Sequence, residues 1–158
     1  MDVLSGTILS KLVDKNKILF QQLLPELIKK LILCNLENVE YIRIPGKDDV
    51  WAPGFDGVVE TSKRTMYVCE GKSVWEFGTN EDILRKINAD YKKRTEDALG
   101  INKNITEFYL VVPYIWAQKC SIQEWEKEHK NGWKDVHVYD AVMLAEWVNS
   151  EPAVFAWL

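Results

Sequence analysis

The chain has 158 residues, of which 47% are hydrophobic and 28% charged, a composition that excludes a disordered or fibrous protein. Its formal net charge of −4 argues against binding nucleic acid by overall charge alone. No apolar run approaches the roughly 20 residues that span a bilayer. Three widely spaced cysteines without a CxxC pair favour a reduced, cytoplasmic compartment over a zinc site.

The first half of the chain predicts one helix followed by three strands. Apolar residues recur at helical spacing over 18–36, where Pro25 marks either a start or a kink. "VEYIRI" (39–44) is typical of a short strand. Residues 54–78 predict a hairpin, because two segments rich in Val, Tyr, Trp and Phe flank the polar stretch "TSKR", which we interpret as its turn.

The middle of the chain predicts a helix and then a buried strand. Thr79 followed by Asp82 resembles a helix N-cap with an acidic third residue, and Gly100 suits the C-terminal cap. A helix is therefore expected over about 80–99. "EFYLVV" (107–112) is a nearly continuous apolar run, as expected for a central strand covered on both faces.

The last part predicts helix, strand and helix. Ser121 and Glu124 form a capping box that opens a helix ending at Gly132, "DVHVYD" (135–140) alternates as a strand, and Asp140 caps a helix through about Asn149. The order α-β-β-β-α-β-α-β-α predicts an α/β domain over residues 1–158, with a mixed central sheet flanked by helices. The apolar ending "PAVFAWL" predicts the N-terminal part of a longer protein.

Charged residues on the predicted hairpin indicate a catalytic site. Residues two apart share one face of a strand, so Glu70 and Lys72 are expected side by side, and the hairpin can bring Asp56 near them. Two carboxylates, with the Gly71 carbonyl as a further oxygen ligand, suit Mg²⁺, with Mn²⁺ as a substitute. Lys72 would position or deprotonate an attacking water. The alternative is a solvated ion pair on an open sheet face.

Three other polar side chains are secondary candidates for the same site. Glu76 shares the face of Glu70 and would act as an extra ligand or orient Lys72; the alternative is that it ends the strand in solvent. Glu26 or Gln22, on the first helix, would reach the metal, or would be solvated helix residues.

A basic stretch on the central helix is the candidate substrate-binding surface. "RKINADYKKR" contributes five positive residues, Arg85, Lys86, Lys92, Lys93 and Arg94, which as helical rows would contact backbone phosphates; the alternative is a solvated helix face.

We predict no catalytic role for the two histidines or for Cys69. His129 and His137 are interpreted as structural or exposed, and neither has a nearby Ser or Cys suited to a triad. Cys69 is interpreted as packing on the sheet face opposite Glu70.

Six stretches together resemble the restriction-endonuclease-like, or PD-(D/E)xK, nuclease fold. They are "LPELIKKLI" (24–32), "PGFDGVVE" (53–60), "EGKSVWEFGT" (70–79), "ADYKKRT" (89–95), "WKDVHVYDA" (133–141) and "PAVFAWL" (152–158). The likeness is to domains at the N-termini of bacterial antiphage NTPases of the STAND class and in related defence proteins.

This resemblance implies a Mg²⁺-dependent DNA endonuclease that acts as the effector of antiphage defence. Asp56 and Glu70 would be metal ligands and Lys72 the catalytic lysine. The implied partners are DNA, NTPase and sensor domains of the same chain, and further copies in a homo-oligomer, with no membrane. The alternative is a nuclease-like domain without catalysis that serves DNA binding or assembly.

Overall fold

The computed structural model describes residues 3–46 and 54–158 and has an α/β architecture with one mixed sheet flanked by helices. Pro53, the first residue of the stretch 53–60, lies outside the described residues. The strands are β1 (Val39–Arg43), β2 (Gly57–Thr61), β3 (Gly71–Phe77), β4 (Thr106–Val111) and β5 (Asp135–Tyr139). The helices are α1 (Gly6–Lys15), α2 (Lys17–Leu33), α3 (Ile83–Glu96), α4 (Ile122–Glu128), α5 (Ala141–Asn149) and α6 (Pro152–Trp157). Within the described ranges, no helix combines the length and apolar character that crossing a bilayer requires.

The sheet follows the chain order β1-β2-β3-β4-β5. The pairs β1–β2 and β2–β3 are antiparallel, whereas β3–β4 and β4–β5 are parallel. Parallel neighbours need a crossover connection, and here α3 and α4 provide it. The predicted mixed sheet is therefore confirmed, and α1 and α6 are added to the predicted order of elements.

Both faces of the sheet carry buried side chains of the hydrophobic core. One face, which we call the α3 face, holds Val74, Phe108 and Val136 in adjacent register and lies against α3 and α4. The other, the α5 face, holds Trp75, whose ring lies 6.2 Å from that of Trp147 in α5. Strand residues alternate between the two faces, so the parity of a position fixes the face to which its side chain belongs.

Helix ends differ from the sequence prediction at several points. The side chain of Asp82 accepts a hydrogen bond from the Arg85 N–H. Asp82 is therefore the N-cap of α3, in place of the predicted Thr79. The same helix ends at Glu96, before Gly100. Helix α2 begins at Lys17 and runs through Pro25. Helix α4 is capped by Ser121 as predicted but stops at Glu128.

The turn of the hairpin is where the prediction is wrong. "TSKR" was expected to join the two strands directly, but Thr61 still belongs to β2 and β3 begins only at Gly71. Residues 62–70 form a loop, within which the Thr65 N–H donates a hydrogen bond to the Val68 carbonyl. The Thr61 hydroxyl also donates to the Cys69 carbonyl at 2.5 Å. This longer loop changes which residues of the two strands face each other.

Candidate active site

The register of β2 and β3 separates Asp56 from the residues expected to join it. Gly57 pairs with Trp75 and Thr61 with Gly71, so Lys72 stands opposite Glu60. Asp56 precedes Gly57 and lies four positions from Glu60, roughly 13 Å along the strand. Glu70 is farther still, because it precedes the first paired residue of β3. The expectation that Asp56, Glu70, Gly71 and Lys72 enclose one cation is therefore wrong.

Asp56 instead meets Glu76. The Asp56 N–H donates to Oε2 of Glu76 at 2.9 Å, and Oδ2 of Asp56 accepts from the Phe77 N–H at 2.8 Å. Each acidic residue thus binds the backbone of the opposite strand, which fixes both side chains at one end of the sheet. Glu76, a secondary candidate on sequence grounds, is the carboxylate that the structure brings to Asp56.

Arg94 is the direct cationic partner of Glu76. Its Nε lies 2.6 Å from Oε1 of Glu76, its second guanidinium nitrogen donates to the Gly54 carbonyl at 2.6 Å, and its charge lies over the Phe55 ring at 5.0 Å. Both side chains are buried, at 10% exposure for Arg94 and 5% for Glu76. Arg94 was predicted to contact DNA phosphates, and the structure commits it to this internal pair.

The ionisation of Glu76 is opposed by its surroundings. Burial, and then the negative charge of Asp56, raise the pKa of the Glu76 carboxyl to about 7, although the hydrogen bond from Arg94 acts in the opposite direction. Two carboxylates this close repel each other. A cation between them would remove that repulsion, so the pair has the electrostatic character of a metal-binding site.

An open cavity of about 650 Å³ exposes this end of the sheet. Its walls come from α2, the start of β2, the end of β3 and α3. The lining residues are Gln21, Leu24, Pro25, Pro45, Gly54, Asp56, Phe77, Gly78, Thr79, Asn80, Lys86, Lys93, Arg94, Asp97 and Leu99. A cavity of this size with few convergent charged groups is the usual form of a small-molecule or catalytic site.

Lys86 brings an amine to this cavity. Its aliphatic stem packs against Gly78, where an added Cβ would lie 2.8 Å from Cγ of Lys86. Its ammonium is 3.0 Å from Oδ1 of Asp90, one helical turn along α3. Gly78 stands two residues after Glu76, where an ExK motif on this strand would carry its lysine. The helix thus supplies an amine where the strand has none.

The other basic residues of α3 divide into two groups. Lys93 lines the cavity, whereas Arg85 and Lys92 are exposed and seven residues apart on the outer surface of the helix. Gln22, a candidate to reach the metal, is exposed and does not line the cavity; its neighbour Gln21 does. The carboxylate of Glu26 packs against Gly46, next to the lining residue Pro45.

Comparisons of the chain with protein-family models, with curated proteins and with solved structures give no match.

Proposed function

We propose that the protein is a metal-dependent endonuclease that hydrolyses DNA phosphodiester bonds at the cavity beside Asp56. The observation that carries this proposal is that Asp56 and Lys86 line one cavity, while the buried carboxylate of Glu76 contacts Asp56 at the same end of the sheet. Two adjacent carboxylates, one of them at an open cavity, and an amine at the same cavity are the groups that metal-assisted hydrolysis of a phosphodiester uses.

The donor set fits a hard divalent cation. Mg²⁺ is usually held by one or two carboxylates plus waters and substrate phosphate, and Mn²⁺ accepts the same ligands. Asp56 and Glu76 provide two carboxylates, and burial, followed by the charge of Asp56, raises the pKa of Glu76. A cation bound there would neutralise charge on the scissile phosphate and lower the pKa of a bound water.

The remaining residues of the cavity act on the substrate and the nucleophile. The Lys86 ammonium would orient the attacking water and offset the negative charge that develops on the phosphate. Asp90 restrains this amine through the ion pair at 3.0 Å. Lys93 would contact a phosphate at the cavity, while Arg85 and Lys92 on the outer surface would contact the backbone of a bound duplex.

The biological setting of this proposal comes from the resemblance. It is that of a restriction-endonuclease-like effector in bacterial antiphage defence. We propose that it works in the cytoplasm, as part of a longer chain with NTPase and sensor domains and within a homo-oligomer.

The test is plasmid nicking with Mg²⁺, Mn²⁺ or EDTA. Asp56→Asn, Glu76→Gln and Lys86→Met should each reduce metal-dependent cleavage by about 100-fold or more, the usual contribution of a positioned acid or base. Glu70→Gln and Lys72→Met are matched controls that change the same residue types on the same strand region and should keep wild-type cleavage. Loss of cleavage in these controls, with activity kept in the first three, would reject the site.

A second candidate function is favoured by the Arg94–Glu76 pair. The guanidinium of Arg94 already provides a positive charge for Glu76. In an ExK motif that began at Glu76 the lysine would stand at position 78, where this chain has Gly78. On this alternative the domain would serve DNA binding or assembly without catalysis. Retention of a labelled duplex on a gel without cleavage under any divalent ion would support DNA binding. A stable oligomer without retention would support assembly.

A further inference from the structure

Three side chains with metal-binding groups meet on the α5 face, on the opposite side of the sheet from Glu76. They are Glu107 near the start of β4, and Asp135 and His137 in β5. Glu107 pairs with Asp135 and Tyr109 with His137 in the parallel ladder. Alternate residues of a strand share one face, so all three side chains lie on the same face of the sheet, and the strand register brings them together.

The distances suit ligands around one small cation. Nε2 of His137 lies 2.6 Å from Oε1 of Glu107 and 3.9 Å from Oδ2 of Asp135, and the three candidate ligand atoms all lie within 4.8 Å of one another. Ligand atoms about 2.0–2.1 Å from a tetrahedral zinc ion are roughly 3.4 Å apart. The 2.6 Å contact is a hydrogen bond, which a bound ion would replace, and the two observed distances lie on either side of the value expected for zinc ligands.

The imidazole is held in place by packing. The His137 ring stacks on Tyr109, with centroids 4.5 Å apart and planes 25° apart. Tyr109 stacks in turn on Trp75 at 4.1 Å, and its hydroxyl accepts a hydrogen bond from the Cys69 N–H. These contacts aim Nε2 at the two carboxylates before any ion arrives, which lowers the entropy lost on binding.

Charge and access also suit a divalent ion. The Glu107 side chain is only 5% exposed, and its side-chain hydrogen-bond partner is an imidazole, which binds a metal ion in its neutral form. Asp135 is 47% exposed, so the group opens to solvent on one side. With a neutral His137, the two carboxylates carry two negative charges, which one divalent ion balances.

We propose that Glu107, Asp135 and His137 form a zinc site, separate from the cavity beside Asp56. One imidazole nitrogen and two carboxylate oxygens are ligands that zinc accepts, whereas Mg²⁺ prefers oxygen ligands alone. The bound ion would join β4 to the edge strand β5 and would keep a coordination position free for water. Sequence reasoning missed this site, because three ligands spread over residues 107–137 have no motif spacing and His137 was interpreted as structural or exposed.

The test is calorimetric titration of zinc into chelator-treated protein in excess Mg²⁺, which occupies hard oxygen sites. Wild type should bind one zinc per chain. Asp135→Asn and His137→Gln should each weaken zinc binding by more than about 100-fold. Loss of a residue that only contacts a ligand costs about 10- to 100-fold, so a larger loss indicates a direct ligand. The Asp135 side chain is 47% exposed, so we expect Asp135→Asn to fold. Zinc should also raise the melting temperature of wild type but not of these variants.

Two matched controls separate this site from other zinc binding. His129→Gln changes the chain's other histidine, whose Nδ1 contacts the Trp125 carbonyl. This variant should bind zinc as wild type does. Asp56→Asn should also keep zinc binding. The proposal is overturned if wild type takes up no stoichiometric zinc, if folded Asp135→Asn and His137→Gln bind it unchanged, or if Asp56→Asn removes it.

Discussion

Neutralising Asp56 should stabilise the protein at alkaline pH, because Asp56 opposes the ionisation of Glu76. Asp56→Asn keeps the side-chain oxygen that accepts from the Phe77 N–H but removes the negative charge. Residues that build a catalytic site commonly cost stability, so a variant that loses activity and gains stability is the expected signature of such a site.

The magnitude follows from the pKa of Glu76, which is raised from 4.5 to about 7. The folded protein therefore binds this proton more tightly than the unfolded chain, and the free energy of unfolding falls as pH rises from about 4.5 to about 7. The full change corresponds to about 3 kcal/mol. Burial is the largest cause and Asp56 the second, so we expect Asp56→Asn to recover about 1 kcal/mol of this at pH 8 and almost none at pH 5.

The assay is urea unfolding followed by tryptophan fluorescence, at pH 5 and pH 8, in EDTA so that no divalent ion competes. Glu70→Gln is the control, since it neutralises an exposed carboxylate next to the same strand and should leave stability within about 0.5 kcal/mol at both pH values. If Asp56→Asn is no more stable than wild type at pH 8, or gains equally at both pH values, repulsion between Asp56 and Glu76 is refuted.

Three further substitutions probe the cavity, the core and a helix cap. Gly78→Ala should displace the Lys86 stem, because the added Cβ would lie 2.8 Å from Cγ of Lys86. We expect cleavage to fall by about tenfold or more. The free energy of unfolding in urea should change by less than about 1 kcal/mol, because the flexible Lys86 side chain can move. Trp75→Ala should cost about 3–5 kcal/mol by urea unfolding, since its side chain is fully buried, whereas Trp157→Ala, at a 40% exposed position, should cost less than about 1 kcal/mol. Asp140→Ala should lower the free energy of unfolding by about 1–2 kcal/mol, because its carboxylate caps α5 by accepting from two backbone N–H groups.

The elements that the sequence predicted well are those with a local cause. Strand β5 and helix α5 follow from strict alternation over 135–139 and from the capping carboxylate of Asp140, and both features act within a few residues. The Ser121 cap was likewise confirmed, because its hydroxyl accepts from the Glu124 N–H within one turn. Patterns of this kind need no knowledge of the rest of the fold.

The candidate site was harder to predict, because it depends on strand register. A turn at "TSKR" was expected to bring Asp56 near Glu70, whereas the loop over 62–70 places Asp56 beside Glu76. The strands before and after the loop are both rich in β-forming residues, so composition alone does not locate the start of β3. Loop length fixes register in a hairpin, and every cross-strand contact follows from it.

Arg94 decides how Asp56 and Glu76 would share a cation. The guanidinium binds Oε1 of Glu76, the Gly54 carbonyl and the face of Phe55, so releasing it would leave a buried charge without partners, at a cost of about 3–5 kcal/mol. Retaining it leaves two positions for a ligand: Oδ1 of Asp56, and the second lone pair of Oε2 of Glu76, which already accepts from the Asp56 N–H. Oδ2 of Asp56 is held by the Phe77 N–H. Two such oxygens leave most coordination positions to water and phosphate, the arrangement that Mg²⁺ usually adopts in phosphoryl-transfer sites. The buried arginine is therefore compatible with catalysis because it occupies one carboxylate oxygen and leaves the other facing Asp56.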